Sequence, residues 1–177
     1  MAFCKIFNLF STKIIHSKEV IMPTKKLKEF LDANNVKYIT MSHSKAYTAQ
    51  QVAASLHIKG KKMAKTVMIN IDGSMAMAVL PASYKVDFEK FRGFIKANLV
   101  ELLSEQDFKD RFPGCEVGAM PPFGNLYQME VYVAASLVED EDILFNAGSH
   151  TELIKMSYND FESLTQPKIV RFSYKSI

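Results

Sequence analysis

The segment TVMINI (66–71), Asp72-Gly73 and SMAMAVL (74–80) constrains this chain more than any other. Two runs of apolar and β-branched residues flank a two-residue Asp-Gly loop. That loop suits the type I′ turn, whose twist matches that of the strands it joins. Pro81 lacks an N–H for the ladder and stops the second strand. A lone hairpin is only marginally stable in water, so the rest of the chain must cover it. The chain has 177 residues, 48% apolar and 23% charged. One domain of that size buries roughly 70% of its unfolded surface. The balance is that of a water-soluble globular protein and excludes a disordered tail, a collagen-like fibre and a disulfide-dense miniprotein.

The segments around the hairpin read as a mixture of helices and strands. TKKLKEFLDAN (24–34) places Leu27, Phe30 and Leu31 on one helical face, with Thr24 as its cap. KYITMS (37–42) reads as a strand. Thr48-Ala-Gln-Gln51 has the capping-box pattern and opens a helix that buries Val52, Ala53 and Leu56. Asp87 caps a helix with Phe88, Phe91 and Ile95 on one face, and another starts near Ser104, carries Phe108 and Phe112, and ends at Pro113-Gly114. Strand-like stretches follow at Glu116–Gly118, Tyr127–Ala134, Ile143–Asn146 and Thr151–Met156, separated by PPFG and AGSH turns. Tyr158–Leu164 reads as a short helix and Ile169–Phe172 as a last strand. The strands are short and their connections irregular. The expected class is therefore one α+β domain and not a regular doubly wound sheet.

Two cysteines, Cys4 and Cys115, make no disulfide framework, and free thiols point to a reducing compartment. No window approaches about 18 continuous apolar residues, so no membrane span is expected. Residues 1–22 are mildly apolar and basic without a signal-peptide cleavage pattern. They read either as an N-terminal extension or as the result of a mis-assigned start codon, with the domain proper at 23–174. Net charge is only +3, yet residues 1–99 hold 16 Lys/Arg against 6 Asp/Glu, and residues 100–177 hold 6 against 13. The basic run Lys59, Lys61, Lys62 and Lys65 suits phosphate contacts or a solvated loop. The acidic run Glu139–Asp142 reads as a turn.

Familiar catalytic signatures are missing. The chain has no P-loop, GxGxxG, HExxH, CxxC pair or GxSxG elbow. His16, His43, His57 and His150 do not fall at metal-ligand spacing, and no metal or cofactor is expected. Three features remain. Lys65 enters an apolar strand with its stem half-buried and its ammonium at the strand's end, either binding an anion or simply snorkelling. The loop Gly118-Ala119-Met120-Pro121-Pro122-Phe123-Gly124 is stiffened by prolines and lets backbone N–H groups approach a ligand, or is a plain tight turn. The turn Gly148-Ser149-His150 adds a hydroxyl and an imidazole, catalytic or structural.

Taken in order, His43, Tyr47-Thr48-Ala49, Ala64-Lys65-Thr66-Val67, Ala78-Val79-Leu80-Pro81, Phe112-Pro113, Gly118–Gly124 and Gly148–His150 resemble the YbaK/EbsC/ProX-type aminoacyl-tRNA editing domains. These are free-standing relatives of the domain inserted in bacterial prolyl-tRNA synthetases, and the likeness covers about residues 24–172. It implies a mixed, partly closed β-sheet or barrel with helices around it. It also implies a carboxylic-ester hydrolase acting on mischarged tRNA that carries a small amino acid of the Ala or Cys type. By that resemblance Lys65 engages the tRNA 3′ end, and Gly118–Pro122 positions the aminoacyl ester through its backbone. Gly148, Ser149 and His150 line the pocket, His43 and Thr48 its other wall, with Met120 and Phe123 as candidates for the side-chain pocket. The implied partners are the tRNA acceptor end and an aminoacyl-tRNA synthetase, in the cytoplasm. The alternatives are a non-catalytic tRNA- or synthetase-binding module on the same fold and hydrolysis of a small free ester.

Overall fold

The computed structural model describes residues 23–45, 48–55 and 62–175. The expectations for residues 1–22, Tyr47, Leu56, His57, Lys59 and Lys61 lie outside that range. The Asp-Gly hairpin forms as expected from β2 (Ala64–Ile71) and β3 (Ser74–Pro81), with Ile71 opposite Ser74. Asp72 and Gly73 adopt φ of +48° and +89°, the left-handed pair that a type I′ turn requires. Asp72 also accepts backbone N–H bonds from Asn98 and Leu99, which ties the turn to the entry of β5 (Val100–Leu102).

Around this hairpin grows a five-stranded sheet in the order β5-β2-β3-β6-β9. β6 (Glu130–Ala134) lies parallel to β3, and β9 (Lys168–Val170) parallel to β6. A second, antiparallel sheet has the order β1-β8-β7, from β1 (Tyr38–Ser42), β7 (Asp142–Asn146) and β8 (Glu152–Ser157). A parallel bridge between Met63 and Leu144 joins β7 to the start of β2. The sheets curl toward each other there without closing into a barrel. A two-stranded ribbon of β4 (Tyr84–Val86) and β10 (Ser173–Lys175) completes the strands. The single-domain mixed α/β arrangement expected from the sequence is thus found.

Three apolar clusters follow from strand alternation. Even-numbered β2 residues Ala64 and Met68 face the main core, with Phe123, Phe145, Phe161 and the α1 (Pro23–Ala33) residues Leu27 and Leu31. Ile69 points the other way, to Phe91 of α3 (Phe88–Ile95) and to Phe172, whose rings stack 4.4 Å apart. Met63, on that same side of the chain, joins Ala53 of α2 (Ala49–Ser55), Ala82, Leu144 and Leu153 in a small third cluster.

Capping follows the sequence at three helices. Thr48 and Gln51 exchange the two bonds of a capping box. Asp87 accepts from Lys90 N. Ser104 and Asp107 cap α4 (Glu105–Phe108). Thr24 departs from expectation. It lies inside α1, and its hydroxyl donates to Ala147 O at 2.8 Å. The helix expected through Phe112 ends at Phe108 and continues only as a 3-10 turn, Lys109–Arg111. Glu116–Gly118 is not a strand: Gly118 takes φ +85° and reverses the chain. Tyr127 closes a 3-10 turn, so β6 begins only at Glu130. β4, β5 and β10 were not expected, because each has only three residues and too short a pattern to read. Among the described residues no helix is long and apolar enough to cross a membrane.

Candidate functional site

The entry of β2 fixes where Lys65 acts. Lys65 lies opposite Leu80, and its ammonium donates to Ala82 O at 3.2 Å. Ala82 is itself held by its N–H on Met63 O at 2.7 Å. The stem of Lys65 therefore runs from beside Leu80 toward Ala82, where its charged end is held. Burial chiefly, and the charge of Lys85 secondarily, hold its pKa below the ordinary lysine value. The positive charge is thus carried at a cost that a nearby anion would relieve.

The same face receives residues from the second sheet. Two positions beyond the Met63–Leu144 bridge, Lys65 on β2 and Asn146 on β7 follow on the same side. Asn146 is 6% exposed, and its side-chain oxygen has no hydrogen-bond partner among the described residues. A buried amide oxygen left unsatisfied costs about 1–3 kcal/mol, which marks Asn146 as a place for a ligand donor. Asn146 lies opposite Leu153, and Leu153 opposite Met41, in one row across the three strands. His43 extends β1 two residues past Met41, with its N–H on Thr151 O at 3.0 Å. Its Nδ1–H donates to Ser44 O at 2.7 Å, since a carbonyl can only accept, and the buried Nε2 has no partner among the described residues.

The Gly118–Gly124 loop and the Gly148–His150 turn are locked together. Gly148 N donates to Ala119 O at 2.9 Å, and Glu116 N donates to Gly148 O at 2.9 Å. The Glu116 carboxylate takes the backbone N–H of His150. The His150 ring donates through Nε2 to Val117 O at 2.8 Å. A Cβ on Gly118 would sit 3.6 Å from the His150 ring, in ordinary contact. From the other side, Thr24 holds Ala147 O, and Ala147 N bonds Glu152 O. The turn is thus the shared contact of the glycine/proline loop, α1 and the strand end that carries Asn146.

Within the loop, Pro121 O accepts from Phe123 N at 2.8 Å, a γ-turn centred on Pro122. The N–H of Gly118 meets only the sulfur of Met120, a weak acceptor, at 3.2 Å. The N–H of Met120 has no hydrogen-bond partner among the described residues. Two backbone donors are thereby available for a carbonyl or an oxyanion.

Other expected site residues have structural duties. Phe123 is fully buried, with its ring against Phe30, Phe145 and Phe161, and it anchors the loop in the core. Met120 is 5% exposed and joins the same core. Gly124 is required by space, because a Cβ would lie 2.5 Å from Met129 O. The Thr48 hydroxyl is engaged in the cap of α2. Ser149 Oγ lies 3.3 Å from Thr151 Oγ1. Sequence reasoning missed Glu116, which it placed in a strand, and Asn146, which it read only as the last residue of one. A polar residue closing an otherwise apolar strand, DILFN, was the available signal. Among the described residues, no three His, Cys, Asp or Glu side chains gather as a metal site.

Fold and site together define a small mixed α/β domain. At the seam of its two sheets the Lys65 ammonium and the Asn146 amide lie on one side, and the loop bonded to the Gly148–His150 turn carries the Gly118 and Met120 N–H groups. The chain belongs to the aminoacyl-tRNA editing domain family, whose model matches residues 43–164. Curated relatives include the proline–tRNA ligases of Bacillus mycoides (strain KBAB4) and Bacillus cereus (strain AH187). Each is 27% identical over 92 residues, covering 50% of this chain but only 16% of the ligase. Among solved structures, a hypothetical protein superposes with TM-score 0.76 at 17% identity, over 84% of this chain and 99% of its own. A candidate trans-editing enzyme for prolyl tRNA synthetase gives 0.72 at 13% identity, over 86% and 97%. At such identities these likenesses speak to the fold.

Proposed function

We propose that this protein is a trans-editing deacylase that hydrolyses the ester of a mischarged tRNA bearing a small amino acid of the Ala or Cys type. The observation that carries the reading is the Gly148–His150 turn. The Gly118–Pro122 loop is bonded to one side of it, and the β7 end at Asn146, on the strand that bridges to the start of the Lys65 strand, leads into it. An aminoacyl ester is already activated, so positioning and charge stabilisation suffice where a nucleophilic side chain is absent. In this reading the Lys65 ammonium holds the phosphate or ribose end of the terminal nucleotide. The Gly118 and Met120 N–H groups face the ester carbonyl and strengthen their bonds as its oxygen becomes negative. Water, positioned with the help of the adjacent ribose hydroxyl, attacks the ester carbon and passes its proton to the departing ribose oxygen. The acyl–oxygen bond then breaks, releasing the free amino acid and the tRNA hydroxyl. A pocket discriminates one methylene by only ~1–3 kcal/mol, which suits exclusion of larger residues. Such a protein works in the cytoplasm beside the synthetases.

The test is release of amino acid from Ala-, Cys- and Ser-charged tRNAs, with Lys65→Ala as control. Acceleration on at least one, abolished in the variant, is the expected result. Salt-sensitive tRNA binding without turnover on any would instead establish a non-catalytic binding module. Full activity on a minimal aminoacyl-nucleoside with indifference to the tRNA body would point to a small-ester hydrolase.

A further inference from the structure

Some cations of this domain are paired with carboxylates. Lys90 pairs with Asp87, Arg92 with Glu89 and Lys168 with Glu130. Lys65 and Lys85, like Lys96 and Lys175 among others, have no carboxylate within ion-pair distance among the described residues; what sets these two apart is that they lie near each other. Lys65 reaches Ala82 O, and Lys85 follows three residues later on β4. The Lys85 ammonium is close enough for its charge to reach Lys65. Like charges held together without a counter-charge form a standing attraction for an anion.

The ribbon adds an aromatic group to this pair. Tyr84 and Val86 of β4 pack inward on the second cluster, so the intervening Lys85 faces outward. Lys85 lies directly opposite Tyr174 of β10, and residues so paired share a face. Tyr174 is 47% exposed. An uncompensated lysine beside an exposed ring is the combination that holds single-stranded nucleic acid, the cation on a phosphate and the ring under a base.

We infer that the outer face of the β4/β10 ribbon is a docking strip for the single-stranded 3′ end of tRNA, with Lys85 on a backbone phosphate next to the one nearest Lys65 and Tyr174 stacked on an unpaired base. This rests on the deacylase reading for its direction, because the strip begins at Lys65, but binding to it is measurable without turnover.

The experiment compares Lys85→Glu, Lys85→Arg and Tyr174→Ala with the unaltered protein. Binding is followed by fluorescence anisotropy on intact tRNA and on tRNA trimmed of its unpaired 3′ nucleotides. Deacylation is measured on charged tRNA and on aminoacyl-adenosine. Lys85→Glu is expected to weaken intact-tRNA binding on the order of tenfold and to lower the slope of log affinity against log salt by about 0.7 for the lost phosphate contact. Lys85→Arg restores both. Tyr174→Ala weakens binding by a similar factor with the slope unchanged. KM on charged tRNA rises while kcat and the rate on aminoacyl-adenosine hold. On trimmed tRNA the penalties vanish. Equal affinities for intact tRNA in all variants, or the same penalty on trimmed tRNA, would overturn the inference. Absence of turnover in the unaltered protein overturns only the deacylase reading.

Discussion

Lys65→Met separates the charge of this residue from its packing. The thioether side chain retains most of the stem that runs beside Leu80 toward Ala82. What disappears is one charge-assisted hydrogen bond to Ala82 O at 3.2 Å, a contact of about 1.5–3 kcal/mol. Burial and the nearby Lys85 charge, which oppose the ammonium in the folded state, disappear with it. The two effects have opposite sign and similar scale, so stability should change by no more than about 1 kcal/mol, or ~2–4 °C in Tm. Activity should fall by roughly 10²-fold or more, because a charge aimed at the bound substrate acts in a partly water-excluded site. The pH response carries a second signature. The folded pKa of Lys65 is depressed, so the unfolded chain binds more proton here. The residue's destabilising contribution is present at neutral pH and is removed as pH rises through the folded value toward the ordinary one of 10.5. Lys65→Met should lose that rise, while the activity of the unaltered protein should decline over the same window as the ammonium deprotonates. The assays are thermal unfolding across pH 7–11 and deacylation of a charged tRNA. A well-folded Lys65→Met that hydrolyses within threefold of the unaltered rate would refute the reasoning.

Four further outcomes follow from the site and its surroundings. Gly118→Ala has room for its methyl group but must hold φ +85°, so it should cost about 1–2 kcal/mol and remain folded with impaired turnover. Gly124→Ala would collide with Met129 O and Val131 Cγ2 and should lower Tm by more; a reversed order in calorimetry would contradict the packing described. Asn146→Leu removes an unsatisfied buried oxygen and should leave stability equal or higher by up to ~1 kcal/mol while KM rises, so a clear drop in Tm with unchanged kinetics would make Asn146 purely structural. Burial raises the Cys115 thiol to about 11, and alkylation at pH 8 should be slow in the native protein and fast in denaturant; rapid native labelling would contradict its burial.

Local chemistry explains which parts of the fold were legible. The Asp-Gly turn, the Asp87 cap and the Thr48–Gln51 box each depend on atoms within four residues of one another, and each appears as the sequence implies. Thr24 illustrates the limit. Its side chain suits a cap, but Ala147 O, 123 residues away in the chain, takes its hydroxyl. Gly118 was recognisable as a loop glycine, yet the partners that make its turn matter, Glu116 to Gly148 and Val117 to His150, are long-range bonds with no local trace.

The chain by itself determined the hairpin, the amphipathic faces of the helices and the glycine, proline and lysine positions where chemistry was to be sought, because those depend on neighbours along the backbone. Only the tertiary structure decided that Phe123 anchors the loop from within the core and that Asn146 and Lys65 follow on one face. The curl between two sheets, made at the Met63–Leu144 bridge, brings those strands side by side. Strand pairing across some 80 residues is set by the sum of many burial contacts, and no short window of sequence contains that sum.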